Sequence, residues 1–353
     1  MTTMTQVGLQ IRGRRIDAST PLYVVAEVGL NHGGDLERAE HLVAAAADAG
    51  VAAVKLQSLR AETLVAAHCP PPMHVAVPSL RGFFEQFELS AEAHRRLARQ
   101  AHAAGLGFIS TPFDEPALDM LMDAGVDAIK IASGDITHLR LVARAARTGR
   151  PLILSTGMSE LHEVEAAVRC ATEHGAGELA LLHCVSAYPV PSGAENLRAI
   201  ETLARAFGLT VGLSDHSLEP LAAPLAVALG ARIYERHFVA VRDGRAIDEA
   251  VSSTGAEPAD VIRQCGRVQS ILGHGRRECG EAERGNRRAS RRGLYAARAI
   301  GQGTRIRSED LAALRPEDGI AASAWDSVVG ARATRDLAEG DVLTSDALEG
   351  AGW

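Results

Sequence analysis

Residues 23–57 read YVVAEVGLNHGGDLERAEHLVAAAADAGVAAVKLQ, and they hold one repeating unit of the chain. A β-branched apolar run from Tyr23 to Val28 meets a Gly-rich turn, a segment of helical periodicity follows, and a second short apolar run spans Ala52 to Gln57. Strand, helix and strand in that order form a βαβ unit. The alternation continues to about Leu272, with further strand candidates at Gly107 to Thr111, Ala128 to Ala132, Leu152 to Ser155, Leu179 to Cys184, Thr210 to Leu213 and Arg232 to Phe238. Eight parallel strands in about 250 residues predict an α/β fold, the (β/α)8 TIM barrel, in which catalytic groups sit at the C-terminal ends of strands. Polar residues that interrupt an apolar strand near its end are therefore the site candidates.

The 353 residues exceed what one compact core supports, unless that core is a barrel with an appendage. Hydrophobic residues make up 46% and charged ones 23%, so a sizeable core is available and disorder is not indicated. No run approaches the roughly 18 apolar residues of a membrane span, and Met1 to Arg15 lacks the apolar segment of a secretory leader. A cytoplasmic protein with no membrane partner is expected. The net charge of −7 disfavours nucleic acid, although Arg276 to Arg292 is locally basic. Cys69, Cys170, Cys184, Cys265 and Cys279 never form a C-x-x-C pair, which fits reduced thiols.

Hydrophobic periodicity stops between Arg276 and Arg292, so residues 276–292 read as a linker after a barrel domain of residues 1–275 with a short N-terminal β extension. Beyond it, residues 298–311, RAIGQGTRIRSEDL, resemble residues 335–348, RDLAEGDVLTSDAL, at a constant offset of 37. Each copy predicts a strand, a Gly turn, a second apolar strand, and a Ser-capped helical turn with an apolar anchor. Two copies make a small pseudo-symmetric domain over residues 293–353, marginal alone.

The strand ends carry the chemistry. Glu27 is a carboxylate inside an apolar run, costly to bury unpaired; the structural alternative is a Glu satisfied by barrel hydrogen bonds. Lys55 and Gln57 stand two apart and share one strand face, inward where Val54 and Leu56 pack outward. Lys130 repeats the device on the fourth strand, and two interior lysines imply an anion. Hydroxyls at Ser110, Thr111, Ser133, Ser155 and Thr156 recur at strand ends, which is how a phosphate or carboxylate is held without a P-loop. No Walker-type glycine loop occurs, so ATP is not indicated. His216 and His237 close the seventh and eighth strands, with Asp215 and Glu235 beside them. Two imidazoles on neighbouring strand ends with oxygen ligands suit a divalent metal, Mn2+ ahead of Mg2+. His183, earlier in its strand, reads as a core histidine.

The ordered motifs AEVGLNHGGD, VKLQ, STPFDE, KIASGD, LSTGM, LLHCVSAYPVP, VGLSDHS and ERHF, with RPEDGI in the tail, resemble the sialic acid synthase family, which includes legionaminate and pseudaminate synthases. The resemblance covers nearly the whole chain. It implies a barrel followed by an antifreeze-like (SAF, β-clip) domain, in a domain-swapped homodimer whose tails cover each other's sites. By motif, Lys55, Thr111, Lys130, Ser133, Ser155, Ser186 and Ser214 resemble the phosphoenolpyruvate cradle, and His216 and His237 the metal ligands. Glu27, Gln57, Tyr188 and Asp248 resemble sugar-facing groups, and Arg315 the tail residue that reaches the sugar's acyl group. The family usually has N-H-N-G where this chain has Asn31-His32-Gly33-Gly34, and Gly-Pro-Asp where it has Ala246-Ile247-Asp248. Some members also carry Asn at Ser186 and Glu at Asp135. These departures bear on which sugar is used.

The implied reaction condenses phosphoenolpyruvate with an N-acyl amino sugar, N-acetylmannosamine or a 2,4-diacetamido hexose, and water, giving a nonulosonic acid and phosphate. Glu27, Lys55, Lys130 and His237 are the residues implied in catalysis. Two alternatives stand beside it: a class I aldolase using Lys130 as a Schiff base, and a non-catalytic sugar-binding relative. The second lysine and the paired histidines argue against both.

Overall fold

A computed structural model describes residues 8–69 and 77–352, so residues 1–7 of the expected leader-free N-terminus lie outside it. The chain divides into two compact units, Met1–Gly273 and His274–Trp353, each with its own apolar core.

In the first unit the described residues form eight parallel strands: β1 (Tyr23–Gly29), β2 (Ala53–Ser58), β3 (Gly107–Pro112), β4 (Ala128–Ile131), β5 (Leu152–Ser155), β6 (Leu179–Cys184), β7 (Thr210–Asp215) and β8 (Ile233–Val239). Each pairs with the next, and β8 returns to β1 with Ile233 beside Tyr23 and His237 beside Glu27, which closes the barrel. A helix follows each strand: α1 (Leu36–Asp48), α2 (Ala91–Ala103), α3 (Glu115–Ala124), α4 (Leu139–Ala146), α5 (Leu161–Glu173), α6 (Ala199–Phe207), α7 (Ala222–Ala228) and α8 (Glu257–Leu272). Local signals set their ends. Asp114 of the STPFDE motif accepts the Ala117 N–H at the start of α3, Pro116 occupies its first turn, and Gly125, left-handed at φ 83°, ends it.

Strand alternation sorts the side chains into layers. Val24, Val54, Phe108, Ile129, Leu154 and Leu181 face the helices in the larger core. Val25, Ala53, Ile109, Ala128, Ile153, Leu182 and Ile233 form an inner apolar layer, plugged by Leu9, Ile11 and Ile16 of a hairpin formed by Leu9–Ile11 and Arg14–Ile16. Two positions further along, on the same face of each strand, come Glu27, Lys55, Thr111, Lys130, Ser155, Cys184 and Glu235. On β7 the corresponding pair is Gly212 and Ser214. The barrel is therefore dry below and polar at its C-terminal mouth.

The second unit adds detail to two expectations. Residues 276–292, read as a linker, contain helix α9 (Glu281–Ser290), which groups with the tail unit. Acidic Glu281 and Glu283 in its first turn and Arg287 and Arg288 in its last suit the helix dipole, but it buries no residue and so has no apolar stripe to read. The repeat folds as two like halves, with strands β9 (Gly293–Ala296), β10 (Leu311–Leu314), β11 (Arg332–Ala333) and β12 (Leu348–Glu349). Its 37-residue offset is visible in the hydrogen bonds: Ile300 and its equivalent Leu337 bond to each other, while Ile306 N–H to Ala331 is matched by Leu343 N–H to Leu294. The helical turns are 3-10 turns that begin at Ser308 and Ser345; Arg307 and Thr344 occupy the cap positions instead, and short strands follow. Among the described residues no helix is long and apolar enough to cross a membrane.

Gly212 is where barrel closure leaves no room, since a Cβ there would lie 2.4 Å from the Ile233 carbonyl oxygen and 2.6 Å from a Leu182 methyl. Gly212→Ala should lower unfolding stability by about 1–3 kcal/mol through overpacking. Gly266→Ala, on α8 with open space around it, should stabilise by up to about 1 kcal/mol. Urea midpoints of the two variants and the parent check the contrast.

Candidate functional site

The polar layer opens into a cavity of about 550 Å³ at the C-terminal mouth of the barrel. Its lining unites nearly every residue expected from the sequence. Glu27, Lys55, Gln57, Thr111, Lys130, Ser133 and Ser155 come from the first five strands and the turns after them, and Ser186, Tyr188, Ser214, His216 and His237 from the last three. Phe84, Phe113, Leu59 and Leu64 add an apolar rim.

Two lysines and two glutamates are buried at its base. Lys55 Nζ lies 2.6 Å from Glu27 and 3.8 Å from Glu235, and Lys130 Nζ donates to both oxygens of Glu235 at 2.8 and 3.0 Å. Gln57 donates to Glu27 and Ser214 to Glu235. A bulge after Glu27, where Gly29 at φ 53° pairs with Leu56, leaves Glu27 and Lys55 side by side. Burial would push the Glu235 carboxyl up, but the ammonium groups of Lys130 and Lys55 pull it down to about 2. Burial dominates for Glu27 and raises it, against the pull of Lys55. Lys55 is raised because its two carboxylates outweigh burial, whereas burial lowers Lys130 despite Glu235. Near these groups Ser133 Oγ accepts the Gly157 N–H at 3.1 Å, and the buried Ser155 hydroxyl has no hydrogen-bond partner among the described residues.

His216 and His237 stand side by side at one edge, ring centroids 5.5 Å apart, with Tyr188 stacked over His216 at 4.1 Å. The pair fits a divalent cation in part. His237 is held neutral by burial, its pKa lowered to about 4, and its Nδ1 makes no hydrogen bond although Asp248 Oδ2 lies 3.4 Å away. A neutral, unsatisfied imidazole nitrogen is what a cation needs. Among the described residues no third His, Cys, Asp or Glu joins a metal-holding group, so a cation held by the pair would take most of its ligands from water or substrate.

Two expectations change. Asp215 does not stand with the histidines, because it alternates to the outer face between Ser214 and His216 and there binds Tyr234, Arg236 and Ser217. Glu235 is the counter-ion of the lysines. It lies two positions before His237 on the same face, a signal the strand period carries, but its partners sit across the barrel. Arg315, expected to reach a partner's site and not its own, is exposed in the tail unit. His183 is buried, bonds the Glu195 carbonyl and lines a second cavity, of about 740 Å³, instead of this one. Cys184, which lines the cavity, was read only as a structural thiol.

Comparison with known proteins places this architecture. The model of the NeuB family matches residues 42–277, and that of the SAF domain matches residues 291–349. The chain is 36% identical over 351 residues, 97% of its own length and 98% of the other, to the N,N'-diacetyllegionaminic acid synthase of Legionella pneumophila. The crystal structure of N-acetylneuraminic acid (sialic acid) synthetase from Leptospira borgpetersenii superposes with a TM-score of 0.72 at 34% identity, over 79% of this chain and 94% of that one. The spore coat polysaccharide biosynthesis protein of Bacillus subtilis does so with a TM-score of 0.67 at 29% identity, over 97% and 99%. This chain belongs to the NeuB family and carries a SAF domain after its barrel.

Proposed function

We propose that the protein joins the enol carbon of phosphoenolpyruvate to the aldehyde carbon of an opened N-acyl amino sugar, with water entering and inorganic phosphate leaving, to make a nonulosonic acid. The observation that carries this reading is the convergence of Lys55, Lys130 and the strand-end hydroxyls with two adjacent imidazoles in one cavity. The likeness to a diacetyllegionaminic acid synthase favours a 2,4-diacetamido hexose as the sugar to try first.

Lys55 and Lys130 bring ammonium groups, and Thr111, Ser133, Ser155, Ser186 and Ser214 bring hydroxyls, to the phosphate and carboxylate of phosphoenolpyruvate. The partnerless hydroxyl of Ser155 is one of those donors. Glu27, raised by burial and 2.6 Å from Lys55, is placed to hold or release a proton at its carboxyl. Gln57, Tyr188 and Asp248 face the sugar. The two lysines and two glutamates cancel in charge, so a bound phosphoenolpyruvate would leave the site negative without a cation. His216 and His237 would hold that cation, Mn2+ or Mg2+, which when bound polarises the aldehyde oxygen as a Lewis acid. A cytoplasmic homodimer completes the proposal, the partner's tail bringing its arginine equivalent to Arg315 to the acyl group. Leu218, Leu221 and Leu225, exposed on and before α7, support a second copy as neighbour.

Phosphate release that needs both phosphoenolpyruvate and the amino sugar is expected, abolished by complete chelation and restored by Mn2+. Release that survives chelation, or an adduct trapped on Lys130 by borohydride, favours the Schiff-base aldolase instead; sugar binding without release favours a non-catalytic protein. A second expectation concerns the ion pairs. Lys130→Met strands the Glu235 charge and should cost about 3–5 kcal/mol of stability. Adding Glu235→Gln should recover most of that loss without restoring phosphate release. A double variant as unstable as the single one, by urea denaturation, contradicts the pairing.

A further inference from the structure

Asn31, in the turn after β1, is fully buried, does not line the cavity, and has no task in the reaction as described. Its amide nevertheless joins three segments distant in sequence. Oδ1 accepts the backbone N–H of Asp248 at 3.1 Å, while Nδ2 donates to the Phe238 carbonyl at 3.0 Å and to Ser252 Oγ at 3.1 Å. The Ser252 hydroxyl, also fully buried, then donates to the Asp248 carbonyl at 2.8 Å. Asp248 is thus gripped at both its backbone N–H and its carbonyl, and the grip is anchored on Phe238, the residue after His237.

The loop that carries Asp248 is fixed at its ends, by Arg38 at Asp243 and by the pairing of Ser253 and Thr254 with Phe238 and Val239, and by the buried Val251. Asp248 itself begins a short 3-10 turn, Glu249–Val251, and Ile247 before it is exposed. Glu249 closes the earlier part of the loop by accepting the N–H groups of Asp243 and Gly244. Among the described residues, the side chains that bond the backbone of Asp248 are those of Asn31 and Ser252, beside the local bond from Val251 N–H to its carbonyl. A carboxylate 3.4 Å from His237 Nδ1 owes its place to them.

We propose that Asn31, acting with Ser252, is a positioning residue that sets the Asp248 carboxylate against His237 and toward the amino sugar. This rests on the synthase reading above. A purely structural role would instead make Asn31 a buried staple whose loss weakens the fold and every kinetic constant alike.

The test uses the full-length protein with phosphoenolpyruvate and the amino sugar that the parent turns over. Asn31→Ala should lower kcat/KM for the sugar by about 10–100-fold while the KM for phosphoenolpyruvate stays near the parent value. In an Asp248→Ala background the same change should cost little more, because residues that act as one unit are not additive. An undiminished loss in that background, or a parent-like kcat/KM in Asn31→Ala, overturns the proposal. Ser252→Ala, which removes the grip on the Asp248 carbonyl, carries the same cycle if Asn31→Ala folds poorly. A crystal structure of the variant separates the two layers of inference. An Asp248 displaced from His237 is expected, and an unmoved one overturns the positioning role alone. If the parent releases no phosphate with any amino sugar, the synthase reading fails and this proposal fails with it.

Discussion

Four charges buried at the mouth of a closed barrel constrain everything around them. An ammonium or carboxylate taken out of water costs several kcal/mol unless it is paired and hydrogen-bonded. Lys55, Lys130, Glu27 and Glu235 meet that condition only because β1, β2, β4 and β8 deliver them to one level with their side chains inward. A one-residue slip of any of these strands would turn its charge onto the helix-facing core. The closed register, the apolar layer beneath, the inward glycine at Gly212 and the bulge at Gly29 all serve that alignment.

The pairing also lets two lysines lie buried where the proposed reading puts an anion. Each lysine has a carboxylate partner, so neither ammonium is stranded, yet each has donors beyond those its glutamates take. Phosphate or carboxylate oxygens bound as proposed would compete with Glu27 and Glu235 for the same hydrogens. On the proposed reading, neutrality within the cluster would leave a cation at the neighbouring histidines to balance a multiply charged substrate.

Much of this was legible in the chain itself. Lys55 and Lys130 announce their inward orientation because each interrupts an apolar run, and Gln57 follows from the two-residue strand period. That period also separates Asp215 from His216, but charge beside a histidine along the chain was taken for charge beside it in space. Glu235 needed knowledge of what faces it across the barrel, which no local pattern holds. Asn31 is harder still, since its partners lie more than 200 residues away and an Asn in a Gly-rich turn reads as an ordinary turn-former. Helix α9 escaped because it has charge order but no apolar stripe. The tail repeat was plain in sequence, and its mutual Ile300 and Leu337 bonds show why: two halves with one hydrogen-bond plan need one spacing.

The most direct measurement is a crystal structure of the protein with phosphoenolpyruvate bound. The assignment predicts phosphate and carboxylate oxygens within hydrogen-bond distance of Lys55 Nζ, Lys130 Nζ and the Ser155 hydroxyl. Phosphoenolpyruvate lodged away from both lysines, or joined covalently to one of them, would contradict it.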